Sequence, residues 1–376
     1  MGLWNAKKRI LSLDGGGVRG VVSLAFLERI ERFLAVHYGT GDDFRLSDHF
    51  HLIGGTSTGA IIAAGLATGR SVASLKDVYF RLARRAFRRR LLYFPYLQAK
   101  FNSRHIGRIL EEELGPITLD DPAIRTHLAI VTKRVDTGSP WIVSNLPGQP
   151  YWNDGPAHDP WHGNRHYRLS AIVRASTAAP LYFGPERIAI SAQGTGTFID
   201  GGVSPYNNPS LALLMLARMN TFGLGWPTGP DKLSIVSVGT GRFRRRLSPS
   251  GPAVGAAVNA LLGLIDDASL VTLILMQWLG ASPAPAWINS EIGALENEYL
   301  AGAPLFSFQR YDADMEKASL EASLGRMFGK SEKQALHRLD NVEAMDDLYR
   351  VAREVAEKAL PDPPPTEPDR LQSPLA

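Results

Sequence analysis

The chain has 376 residues and no cysteine, which excludes a thiol nucleophile, a disulfide framework, a cysteine-ligated zinc and an iron–sulfur cluster. Hydrophobic residues make up 44% and charged residues 21%, too apolar for a disordered chain, and the length suits about two and a half domains or one large α/β domain. Lys and Arg number 41 against 37 Asp and Glu, and this net charge of +4 is too mild for a dedicated nucleic-acid binder. Of the cations 31 are arginine, which grips phosphate bidentately, so their placement carries more information than their sum.

In chain order, the start Met1-Gly2-Leu3-Trp4-Asn5-Ala6-Lys7-Lys8-Arg9 has no apolar stretch after its charges, and Ala6 stands where an N-myristoylation signal needs Ser or Thr. A cytoplasmic protein is therefore expected. Arg9 to Leu13 reads as a strand ending in Asp14-Gly15-Gly16-Gly17-Val18-Arg19-Gly20. Leu24, Leu27, Ile30 and Leu34 then repeat at helical spacing, with Glu28, Arg29, Glu31 and Arg32 outside. Phe50 to Ile53 is a second strand, followed by Gly54-Gly55-Thr56-Ser57-Thr58-Gly59 and a small-residue helix from Ala60 to Ala67. Strand, glycine turn and helix, twice over, predict an α/β fold with parallel pairing, whose sites collect at the strands' C-terminal ends.

Further strands are predicted at His127 to Thr132, Trp141 to Ser144, Phe198 to Ile199 and Leu233 to Val238. Helices are predicted at Ser74 to Arg89, Arg104 to Leu114, Ser170 to Thr177 and Pro209 to Met219. Gln149 to Gly163, rich in Pro, Gly, Trp and Asp, reads as a long loop. Val254 to Leu279 is the most apolar long stretch, but Asp266 and Asp267 sit in its middle, so a buried or partly buried helix is expected rather than a span. Beyond residue 310 the pattern changes to charged helices, ending with Val342 to Leu360, and Pro361 to Ala376 holds six prolines. The expected organisation is a catalytic domain over 1–310, a helical extension over 311–360 and a disordered tail over 361–376.

Gly55-x-Ser57-x-Gly59 lies between a strand and a helix. A sharp turn there lifts a serine hydroxyl clear of the sheet, and the next helix aims its positive end at developing negative charge. By itself the pattern admits two readings, a nucleophile and a plain structural turn. Gly15, Gly17 and Gly20 spell the spacing of a dinucleotide loop. The acid expected some twenty residues on is missing, however, and Asp14 would repel a pyrophosphate. A nest of Gly15, Gly16 and Gly17 N–H groups, forming an oxyanion hole, fits better. Arg19 either adds charge there or is an exposed arginine on the first helical turn.

A Ser–His–Asp triad would need a late histidine, and only His337 follows Asp200. Its surroundings, Glu332-Lys333-Gln334-Ala335-Leu336-His337-Arg338, predict a solvated side chain. Phe198-Ile199-Asp200-Gly201-Gly202 instead closes an apolar strand with an acid, either a presented base or an ordinary Asp-Gly turn. A free aspartate is a weak base at pH 7, so it would need direct contact with the serine and partial burial.

Asp14-Gly-Gly-Gly-Val-Arg-Gly20, Gly55-Thr-Ser-Thr-Gly59 and Asp200-Gly-Gly202, in that order, resemble the bacterial patatin-like phospholipase family. Arg174-Ala-Ser-Thr-Ala-Ala-Pro180 and Asn207-Asn208-Pro209 resemble further stretches of the same domain, so the likeness covers residues 8 to 245. It implies a three-layer α/β/α fold with a mostly parallel central sheet, extended here by C-terminal helices. It implies a Ser–Asp dyad acting on phospholipid or other acyl esters through an acyl-enzyme. Ser57 would be the nucleophile, Asp200 the base and Gly15–Gly17 the oxyanion hole, with no cofactor or metal. Some bacterial members of the family are antiphage effectors switched on by a cyclic nucleotide, which is a second reading. A non-catalytic lipid- or dinucleotide-binding module is a third.

Arg84, Arg85, Arg88, Arg89 and Arg90 crowd seven positions, with Phe87 inside and Leu91-Leu92-Tyr93-Phe94 following. Charge beside apolar residues suits peripheral membrane contact or anion binding, and equally a solvated helix end. Arg242, Arg244, Arg245 and Arg246 form a second cluster, readable as a phosphate site or a solvated loop. His158, His162 and His166, near Asp154 and Asp159, have ligand-like spacing, but the prolines and glycines among them break the helix a metal site would need.

Overall fold

In the computed structural model, β1 (Lys8–Leu13) shows how the sheet divides its side chains. Leu11 and Leu13 enter one hydrophobic core and Ile10 the other, because successive residues of a strand point to opposite faces. The same division holds in β2 (Leu52–Thr56) and β3 (His127–Arg134): Ile53, Leu128 and Ile130 go one way, Leu52 and Ala129 the other. The structure describes residues 7–87, 99–158, 160–243, 253–325, 327, 329 and 336–361. Arg88–Arg90, Leu91–Phe94, Asp159, Arg244–Arg246 and the proline-rich tail beyond residue 361 lie outside the described residues.

The remaining strands are β4 (Pro140–Ser144), β5 (Glu186–Ala189), β6 (Thr195–Asp200), β7 (Leu233–Val238) and β8 (Ser307–Tyr311). The order is β5-β6-β3-β2-β1-β7-β8, with β4 also paired to β3. From β3 to β8 the neighbours are parallel, and β4, β5 and β6 join antiparallel. Strands buried on both faces explain the continuous apolar runs of the sequence. One core gathers residues of α1 (Gly20–Tyr38), α2 (Thr58–Ala67), α3 (Val72–Ala86), α4 (Ser103–Leu114) and α5 (Leu169–Ser176). The other gathers residues of α6 (Ser210–Arg218) and α7 (Ala253–Leu279). The fold is thus the three-layer α/β/α arrangement with a mostly parallel central sheet.

Two features depart from the sequence reading, and a third falls on one of its two alternatives. β8 was not anticipated, because Ser-Phe-Gln-Arg-Tyr offers only one strongly apolar residue; the parallel sheet therefore runs on to residue 311. α7 takes the second of the two expected forms, a partly buried helix. Few side chains of Asn259–Leu279 are fully buried, although that stretch is long and apolar enough to cross a membrane by length and composition. Its inner side is fixed to the protein by Leu273 and Met276 and by Gln277, which bonds the backbone of Ala286 and Ala294. Lastly, His337 is half-buried with its ring edge-on to Phe243 at 4.1 Å, so it is not the solvated side chain expected.

After α8 (Lys317–Leu324), the chain returns across the domain as α9 (Met345–Ala359), whose Met345, Leu348, Val351, Ala352 and Ala356 form the buried stripe of an amphipathic helix. Arg29 of α1 donates to the Leu360 carbonyl, and Lys76 of α3 bridges Glu28 and Tyr349. A buried ion triad ties β8 to β1. Arg310 meets Asp14 at 2.6 Å and Asp312 at 2.7 Å, with all three side chains under a tenth exposed. Removing the cation would leave two carboxylates buried without it. Arg310→Met should lower the unfolding free energy by about 3–5 kcal/mol, read from urea denaturation, whereas an unchanged midpoint would show the triad to be dispensable.

Candidate active site

The site forms where β1, β2 and β6 end. Ser57 sits between β2 and α2 at φ +55, a left-handed conformation that is uncommon for a non-glycine residue. The flanking glycines make this turn possible. A side chain at Gly55 would meet the Gly59 carbonyl oxygen at 2.2 Å, and one at Gly59 would meet the Leu13 carbonyl oxygen at 2.3 Å. The turn thus presses β2, α2 and β1 together at backbone contact, and its serine is lifted towards a cavity.

Asp200 reaches the same place from the opposite direction. β6 runs antiparallel to β3, so its last residue pairs with Thr132 near the end at which β2 delivers Ser57. Ser57 Oγ donates to Asp200 Oδ2 at 2.6 Å, and the Gly202 N–H donates to Oδ1 at 2.7 Å. Burial pushes the Asp200 carboxyl up from 3.8 to about 6, against the opposing pull of Ser57, Gly202 and Arg174. This carboxylate is ionised at pH 7 yet more basic than a free aspartate.

The glycine loop is held from several sides. The Gly15 N–H donates to the Asn207 carbonyl at 3.1 Å and the Val18 N–H to the Leu339 carbonyl at 2.9 Å. Thr240 donates to Gly15 O, Tyr79 to Gly17 O, and Arg19 Nε to Gly16 O. Of the three N–H groups expected to form a nest, Gly15's is therefore engaged. Those of Gly16 and Gly17 donate to no acceptor among the described residues. Arg19 is not the exposed arginine of one reading. It is buried, with its guanidinium 4.8 Å from the Phe243 ring.

Sequence reasoning missed the braces. Ser176 accepts the Ser57 N–H at 2.8 Å and donates to Val131 O at 2.7 Å, tying the Ser57 turn to β3. Leu339, Thr240, Tyr79 and Asn207 carry no catalytic signature, and only Ser176 and Asn207 fell within stretches singled out by resemblance. The cavity in front of Ser57 is about 150 Å³, and its walls are mainly apolar: Ile61, Leu82, Phe87, Ile106 and Phe183 from one core, and Leu261, Leu262 and Ile265 from α7.

The other flagged residues lie elsewhere. Arg84 pairs with Asp346 and Arg85 with Glu112, both exposed, so neither enters the cavity. His166 Nε2 lies 3.1 Å from Asp154 Oδ2, and no group of three metal-ligating side chains occurs among the described residues.

A family model described as patatin-like phospholipase matches residues 11–214, the stretch that contains the glycine loop, Ser57 and Asp200. The chain belongs to the patatin-like phospholipase family. The chemistry of that domain is serine-dependent hydrolysis of lipid acyl esters. A cGAMP-activated phospholipase of Escherichia coli (strain TW11681) is 32% identical over 247 residues, 64% of this chain and 64% of that one. Another, from Vibrio cholerae, is 30% identical over 268 residues, covering 68% and 70%. Patatin-15 of Solanum tuberosum is 29% identical over 55% of this chain and 52% of that one. The chain thus spans less than two thirds of the Escherichia coli and potato relatives.

The raised Asp200 carboxyl has a consequence for stability. A folded-state value above the unfolded one means that the ionised group opposes folding. That cost is complete above about pH 6 and absent below about 3.8. Asp200→Asn should therefore stabilise the fold at pH 7 by up to about 3 kcal/mol, an advantage that disappears near pH 4. Urea titrations at the two pH values would show it, and a destabilised variant at pH 7 would contradict it.

Proposed function

We propose that the protein is a lipid acyl hydrolase working through a Ser57–Asp200 dyad. The observation that carries this reading is the 2.6 Å hydrogen bond between Ser57 and a buried carboxylate, opening onto an apolar cavity. Ser57 Oγ attacks the ester carbonyl carbon while its proton passes to Asp200. The oxyanion that forms is received by the Gly16 and Gly17 N–H groups, in a loop already rigid before substrate arrives. The C–O bond to the alcohol breaks, the alcohol leaves with the proton from Asp200, and an acyl-serine remains. Water then gives its proton to Asp200 and attacks the acyl carbon. Fatty acid departs and Ser57 recovers its proton. Every proton is accounted for within the dyad, so the sequence of steps calls for neither a histidine nor a metal.

Ser57→Ala and Asp200→Asn should each abolish fatty-acid release from phospholipid, followed by mass spectrometry of mixed bacterial lipids. A fluorophosphonate probe should label the wild type and not Ser57→Ala; wild-type hydrolysis in Ser57→Ala would end the dyad reading. Because the base must be deprotonated, kcat/KM on a soluble short-chain ester should climb about tenfold per pH unit up to about pH 6 and level off above it.

The two bacterial relatives named as cGAMP-activated favour a second reading, in which a cyclic dinucleotide switches hydrolysis on. A polar cavity of about 380 Å³ adjoins the glycine loop. It is poorly suited to a dianion. Among the described residues that line it, Asp14, Asp266, Asp267, Asp312 and Asp314 outnumber Arg19, Arg242 and Arg310, and Arg310 is already held by Asp14 and Asp312. Activator binding elsewhere would still raise fatty-acid release with one member of a panel of cyclic nucleotides, and a flat response across the panel would remove this reading.

A further inference from the structure

The outer side of α7 is an apolar strip with little packed on it among the described residues. Leu264 is 65% exposed, Val271 55% and Trp278 36%. They recur every seventh residue, which keeps them on one side of the helix over about 21 Å. The strip is continuous with the cavity. Leu261, one turn before Leu264, is 38% exposed and also lines the cavity of Ser57. Leu181, 51% exposed, is likewise a lining residue, held at φ +71, where leucine is rarely found. An exposed apolar path therefore leads from the outside of α7 over the lip to the nucleophile.

We propose that the outer side of α7 and the lip formed by Leu181 and Leu261 are one docking surface, which seats on a phospholipid bilayer and opens the cavity directly into it. This rests on the lipid hydrolase reading. A lipid surface is the occupant that leaves the site usable, since a protein or second copy covering the same strip would also cap the mouth. The chemistry of α7 fixes the mode of contact. The helix contains no Lys or Arg, so apolar insertion drives the contact rather than attraction to anionic headgroups. Asp267, exposed between Leu264 and Val271, keeps the helix at the interface, while Gln277, Leu273 and Met276 hold its other side on the protein. Trp278, apolar with one polar edge, suits the headgroup level.

The test uses the full chain carrying Ser57→Ala, so that vesicles are not consumed, in flotation with phosphatidylcholine vesicles and with phosphatidylcholine–phosphatidylglycerol vesicles. The expected result is binding to both, reduced about tenfold or more when Leu264→Ser and Val271→Ser are added. With Ser57 restored, that double variant should hydrolyse a soluble short-chain ester normally, which shows that it is folded, and hydrolyse vesicle phospholipid poorly. Leu264→Met with Val271→Leu should bind like the parent. Undiminished binding in the serine variant, binding that requires phosphatidylglycerol, no binding by the parent, or a wild-type dimer that the serine changes split would each overturn the proposal. Loss of binding is scored without turnover, so it is distinguishable from failure of the dyad, which the fluorophosphonate probe reports.

Discussion

A carboxylate can serve a serine directly only if the two touch and the carboxylate is kept from water, and this requirement shapes the centre of the molecule. Ser57 and Asp200 are 143 positions apart and sit at the ends of strands that run in opposite directions. Parallel strands alone would leave two such ends in different loops on one edge. Here β6 enters antiparallel beside β3 and brings its own last residue to the turn after β2. The antiparallel part of the sheet is therefore what makes the contact possible, while the parallel part supplies the glycine loop. Burial that raises the Asp200 carboxyl makes it a better base and a less comfortable resident, so reactivity and stability are set against each other at one side chain.

The glycine loop shows how a flexible sequence becomes a fixed device. Three consecutive glycines carry a high entropic cost of ordering. The loop is held by Tyr79 from α3, Asn207 before α6, Thr240 after β7 and Leu339 before α9. Leu339 belongs to the region after residue 214, where the family match ends, yet its carbonyl oxygen lies 2.3 Å from where a side chain on Gly17 would begin. The later part of the chain is thus structurally part of the site. The Arg310 triad makes the same point from below, since Asp14, the residue that leads into the loop, is anchored to the last strand of the sheet.

What the sequence made legible follows from locality. The strand, glycine turn and helix units at β1 and β2, the Asp-Gly-Gly at the end of β6 and the strand at Leu233–Val238 are local patterns with steric reasons behind them, and they stand where expected. The braces were invisible because Leu339, Thr240 and Tyr79 act through a backbone carbonyl or a hydroxyl, groups that any similar residue offers, and their partners are at least 62 positions away in the chain. α7 left two readings open for a different reason. Its apolar composition reads as core, and the position of its uncovered side depends on how much of the sheet α6 and the Ala281–Leu305 region already occupy.

The two cavities on either side of the glycine loop share Gly15, Arg19, Asn207 and Asp266 but differ in character. The one facing Ser57 is apolar; the other is lined by carboxylates and arginines. Moving an acyl chain into the polar one would strip water from charged groups without replacement bonds, a cost of several kcal/mol per ion, whereas each methylene placed in the apolar one gains about 0.8 kcal/mol. The loop therefore stands as a partition between the two cavities, besides the donor role proposed for it. The Asp14–Arg310–Asp312 triad keeps the far side charged at the same time as it anchors the loop, so in the proposed reaction the interaction that positions the donors would also fix the side on which an acyl chain lies.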